Sequence, residues 1–67
     1  MQSQDRFKLI RAGFRIFRMH TTGPKDKRYS IWEYDGGWRK HSFFKTAAEM
    51  RSGWQALMIN ASHIGDE

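Results

Sequence analysis

Asp35-Gly36-Gly37 stands between two runs rich in aromatic and β-branched residues, 28–34 (RYSIWEY) and 38–44 (WRKHSFF). Aspartate and glycine tolerate the positive φ angles of tight turns, so this segment predicts a β-hairpin. With a three-residue loop, Tyr34 pairs with Trp38, Trp32 with Lys40 and Ser30 with Ser42 on one face. The other face then holds Tyr29, Ile31, Glu33, Arg39, His41 and Phe43. One helix can cover only one face of a sheet. Tyr29, Ile31 and Phe43 make the better core, which leaves Trp32, Tyr34 and Trp38 exposed together.

The rest of the chain supplies a cover for that core. Thr46-Ala47-Ala48-Glu49 reads as a capping box, in which the Thr46 hydroxyl accepts from the Glu49 amide and the Glu49 carboxylate from the Thr46 amide. A helix starts at Ala47, and Ala47, Met50, Trp54, Leu57, Met58 and Ala61 fall on one stripe. Residues 14–19 (FRIFRM) alternate Phe14, Ile16 and Arg18 against Arg15, Phe17 and Met19, the pattern of a further strand. His20 to Lys27, with Gly23 and Pro24, is the loop that follows it. Upstream, Gln4 to Ala12 reads as a short helix ending at Gly13, with Phe14 in the contact that follows a glycine C-cap. An earlier strand over Phe7 to Ala12, with a bulge at Gly13, is the other reading of that segment. Thus 67 residues predict one small α+β domain: a three-stranded antiparallel sheet, a C-terminal helix on one face and a short N-terminal helix. Residues 1–5 and 62–67 are expected to fray.

The chain has no cysteine, so disulfides and cysteine-bound zinc are excluded, and its ten aromatic side chains must supply much of the burial. The opening MQSQDR has no apolar stretch, and the longest apolar run is the four residues Ala56 to Ile59. A membrane span needs about 20, so a soluble cytoplasmic protein is expected.

Charge is unevenly placed. The net value is +5, yet residues 6–28 carry eight cations against Asp26 alone, and the remainder of the chain is slightly acidic. A field of one sign on part of a small surface attracts polyanions. Flat rings beside cations are also the composition on which unpaired bases stack while phosphates meet lysine and arginine. The candidate nucleic-acid-binding residues are therefore Arg15, Arg18, Lys25, Lys27, Arg28, Trp32, Tyr34, Trp38 and Lys40. The same rings suit a protein interface, so a homodimer, or an inhibitor or accessory protein of a phage or mobile element, is the alternative. A second small core is the third possibility, with Phe7 to Ile10 folded over the rings.

No phosphate-binding loop, dinucleotide fingerprint or HExxH is present, and His20, His41 and His63 fall in three different elements. Neither a catalytic site, a metal, another cofactor nor a small-molecule substrate is expected, and Glu33 and Asp35 are read as ion-pair partners of Arg39 and Lys40. The strand-hairpin-helix order over residues 14–60 resembles the arm-binding domains of some phage and transposon integrases. That resemblance implies a sheet that lies in the DNA major groove, and no functional residue is carried across.

Overall fold

A computed structural model describes residues 2–25 and 28–66. Its elements are α1 (Ser3–Arg11), β1 (Arg15–His20), β2 (Tyr29–Tyr34), β3 (Trp38–Phe44), α2 (Ala47–Met58) and β4 (His63–Gly65). The class is α+β, with one more strand than the sequence suggested. The sheet order is β3-β2-β1-β4, antiparallel except for the parallel pairing of β4 with β1.

The N-terminal segment is a helix. It starts at Ser3, with Gln2 at the cap position and no side-chain cap. Its end follows the glycine rule: Gly13 N–H donates to Ile10 O and Phe14 N–H to Leu9 O, both at 3.0 Å, while Gly13 takes φ +95°. These two bonds make a Schellman motif, whose left-handed position penalises any residue with a Cβ.

At the hairpin the expected pairs Tyr34 with Trp38 and Trp32 with Lys40 are present, and Asp35 N–H donates to Gly37 O at 2.9 Å. Beyond them the register slips. Ile31 faces Ser42 and Ser30 faces Phe43, so His41 is an extra residue opposite the Ile31/Trp32 step. A bulge of one residue exchanges the faces of everything after it. Phe43 therefore leaves the expected core, where it is 50% exposed, and Phe44 takes its place.

The main core lies between the sheet and α2. Phe17 and Ile31 are fully buried, Met50 nearly so, and Met19, Tyr29, Phe44, Trp54, Leu57 and Met58 pack against them. Thr46 Oγ1 accepts from Glu49 N–H at 3.1 Å, as the cap predicts. The Glu49 carboxylate instead accepts from Lys45 N–H at 3.2 Å, one residue before the expected donor. The helix ends at Met58, leaving Ala61 outside it.

In the C-terminal segment, His63–Gly65 pairs with β1. Arg15 N–H donates to Ser62 O and Asp66 N–H to Phe17 O, each at 2.8 Å, which closes β4 onto β1. His63 Nδ1 lies 3.0 Å from Leu57 O, tying β4 to the end of α2. Asp66 is buried, and Arg6 of α1 meets its carboxylate with Nε at 2.7 Å and Nη2 at 2.6 Å. The pair ties the first turn of α1 to the residue that follows β4.

Helix α1 lies on the sheet face opposite α2. Phe7 contacts Tyr34 edge to face at 5.8 Å, and Ile16, cross-strand partner of Tyr34, is fully buried. A second small core thus covers one half of that face.

Candidate nucleic-acid interface

Strand alternation sends Ile16, Arg18 and His20 of β1 and Ser30, Trp32 and Tyr34 of β2 to the α1 side, joined by Trp38, Lys40 and Phe43 of β3. Helix α1 occupies the end where Ile16 pairs with Tyr34. The other end, where His20 pairs with Ser30, is where the β1–β2 loop leaves the sheet. There Arg18, His20, Trp32 and Trp38 line an open concavity of about 230 Å³.

Both tryptophans are half-buried and held in place. The Trp32 indole N–H donates to Ser30 Oγ at 3.0 Å, which also satisfies a buried serine. Lys40 Nζ lies 5.4 Å from the Trp32 ring and 4.6 Å from the Phe43 ring, and the His20 ring meets Trp32 edge-on at 6.0 Å. Trp38 has the Arg6 guanidinium at 5.2 Å and that of Arg18 at 5.4 Å, with the Tyr34 ring edge-on at 5.3 Å. Arg18 and Lys40 are exposed, and among the described residues neither has a carboxylate within ion-pair distance. The site therefore presents indole surface bordered by uncompensated positive charge.

The structure divides the residues singled out from the sequence. Arg18, Trp32, Trp38 and Lys40 come together. Lys25 and Arg28 are exposed on the loop at the open end, while Lys27 lies outside the described residues. Tyr34 does not join the open platform: it is only 8% exposed, beneath Phe7 and Arg6, because α1 folds over that half of the rings.

Arg15 belongs to the opposite face, where its guanidinium sits 5.2 Å from the Phe17 ring. It makes two parallel bonds to Glu33, Nε to Oε2 at 3.0 Å and Nη2 to Oε1 at 2.8 Å. This fork holds the Glu33 carboxyl below the usual carboxylate range against the opposing effect of burial, and it raises Arg15 further. Glu33 thus pairs with Arg15 of the neighbouring strand and not across the hairpin; among the described residues only Asp35 and Arg39 approach there, at 3.5 Å.

His20 and Phe43 border the site and were missed. His20 follows from the alternation that carries Arg18, whereas Phe43 depends on the bulge at His41. His41 is exposed, with its ring edge-on to Phe17 at 5.2 Å.

A second concavity of about 320 Å³ contains Glu33, Asp35, Arg39, Lys40 and His41. Its carboxylates are matched by cations, so it lacks the one-sign field of the first. Among the described residues no three His, Asp or Glu side chains come together to hold a metal ion, and no helix is long and apolar enough to cross a membrane. The resemblance to integrase arm-binding domains also stops short, because α1 covers half of the sheet face that would enter a groove. Comparison with protein-family models, with curated proteins and with solved structures returns no match.

Proposed function

We propose that this is a small non-catalytic module that binds nucleic acid through the open half of the α1-side sheet face. The observation that carries the reading is the clustering of half-buried Trp32 and Trp38 with Arg18 and Lys40, cations with no carboxylate partner among the described residues. Rings give bases a surface to stack on, and the cations meet phosphates. Lys25 and Arg28 extend the positive border along the loop. Arg15 has no part in it, since Glu33 neutralises it on the other face.

Salt titration tests the reading. If Arg18, Lys25, Arg28 and Lys40 neutralise about four phosphates, log K falls against log salt with a slope near −3, a loss of about 60-fold between 50 and 200 mM. Fluorescence anisotropy of labelled oligonucleotides measures it. Absence of salt-dependent binding at low salt, to single strands and duplexes alike, refutes the proposal. Salt-insensitive self-association would instead give the rings to a second copy of the chain, since apolar interfaces respond little to salt.

A further inference from the structure

We infer that the concavity between Trp32 and Trp38 receives one unpaired base, so that the protein selects single-stranded over duplex nucleic acid; this rests on the nucleic-acid reading and narrows it. Two observations carry the step. The first is depth. Both indoles are half-buried, with Arg6 and Arg18 beside Trp38 and Lys40 beside Trp32. A duplex offers base edges and keeps base faces stacked inside, so an indole face can be met only by a base outside the stack. The volume of about 230 Å³ falls below the roughly 300–1,000 Å³ of pockets that enclose drug-sized ligands, and suits a single planar ring system.

The second observation is which polar tips are already engaged. The Trp32 indole N–H is committed to Ser30 Oγ, and His20 Nε2 lies 2.8 Å from Thr22 Oγ1. What remains is ring surface, the Trp38 indole N–H, His20 Nδ1 and the Arg18 guanidinium, itself 5.4 Å from the Trp38 ring. Stacking on a ring face is open to every base, while a guanidinium or an indole N–H can also meet a base edge. The chemistry therefore fits an unpaired nucleotide held by its ring face, its phosphate on Arg18 or Lys40.

The test uses the full chain with an oligothymidylate, a mixed-sequence single strand of equal length and the matching duplex, at one low salt concentration. Single strands are expected to bind at least about 10-fold more tightly than the duplex and to quench tryptophan emission. Trp32→Ala should weaken single-strand binding roughly 5- to 150-fold, the range for losing one stacked base. Trp32→Phe, which keeps a ring, should retain most of the affinity. If Trp32→Ala does not fold, Trp32→Phe and Trp38→Phe locate the quenching, and the strand preference of the unaltered chain still decides.

Equal or tighter duplex binding, or single-strand binding with no tryptophan quenching, overturns the inference while leaving nucleic-acid binding intact. A folded Trp32→Ala variant with unchanged single-strand affinity does the same. Failure of every oligonucleotide to bind removes the underlying reading as well.

Discussion

Asp66→Ala removes the carboxylate that ties α1 to the residue after β4. The Asp66 side chain is 4% exposed and that of Arg6 15%, so the substitution leaves a guanidinium largely out of water without its counter-ion. Breaking a buried pair from one side costs about 3–5 kcal/mol. Two features place this case at the lower end. Arg6 keeps some solvent, and its guanidinium stays 5.1 Å from the Tyr34 ring and 5.2 Å from the Trp38 ring, contacts that favour a cation by about 0.5–2 kcal/mol. We expect a loss of about 3 kcal/mol. In a domain of this size that lowers Tm by about 12–24 °C and removes a large share of the stability.

Thermal and urea unfolding followed by far-ultraviolet circular dichroism measure the loss. Asp35→Asn is the control, because its pair with Arg39 is exposed on both sides and should stay within about 0.5 kcal/mol of the parent. The double variant Arg6→Met/Asp66→Asn should recover part of the deficit, since replacing both charges removes the stranded one. If Asp66→Ala unfolds within about 0.5 kcal/mol of the parent, Asp66 is not seated on Arg6, and the coupling of α1 to β4 is refuted.

Thr46→Ala should cost about 0.5–2 kcal/mol in urea unfolding, because Glu49 N–H loses its acceptor, and an unchanged midpoint would place the helix start elsewhere. Gly65→Ala would bring a Cβ to 2.5 Å from Trp54 Cζ2 and 3.1 Å from Cη2; the resulting crowding should lower stability by about 1–3 kcal/mol, and an equal or higher Tm would show that β4 does not press on Trp54. The Arg15 fork depresses the Glu33 carboxyl in the native state, so its contribution is complete above the usual 4.5 and is lost as pH falls through the lowered native value. The Arg15 side chain is 49% exposed, which holds the effect to about 0.2–1 kcal/mol after screening. Below pH 4.5 the parent should therefore lose stability that Glu33→Gln does not, and parallel curves of Tm against pH would exclude the pair as a source of acid sensitivity.

Where a signal is local, the sequence carried it. Asp35-Gly36-Gly37 set the turn and the first two cross-strand pairs, Thr46 with Glu49 located the start of α2, and Gly13 followed by Phe14 the end of α1. The bulge at His41 had no such mark, since residues 39–43 contain neither glycine nor proline, and the missed slip moved Phe43 and Phe44 to the wrong faces. Strand β4 has three residues, too few to show a period, and its partner lies far back in the chain. Charge groups Arg15 with Arg18, although alternation separates them. In β1 both faces are apolar, with Ile16 and Phe17 equally buried, so no inward or outward pattern reveals which arginine faces which helix. Tyr34, Trp32 and Trp38 look alike in sequence; only the packing of Phe7 distinguishes the buried ring from the other two.

The cations beside the open rings bear on whether a ligand can reach them. Lys40 Nζ, 5.4 Å from the Trp32 ring, holds an exposed cation–π contact worth about 0.5–1 kcal/mol. On the proposed reading a base must displace it, and base–indole stacking returns about 1–3 kcal/mol. The exchange is therefore favourable even before the displaced ammonium meets a phosphate, and that meeting releases counterions besides. Trp38 differs, because Arg6, one of its two guanidiniums, is anchored by Asp66 and cannot swing away at similar cost. On that reading Trp32 is the ring whose face would be released, and Trp38 the wall against which the base would be positioned. On the same reading, the Arg6–Asp66 pair sets which side of the concavity keeps its cation.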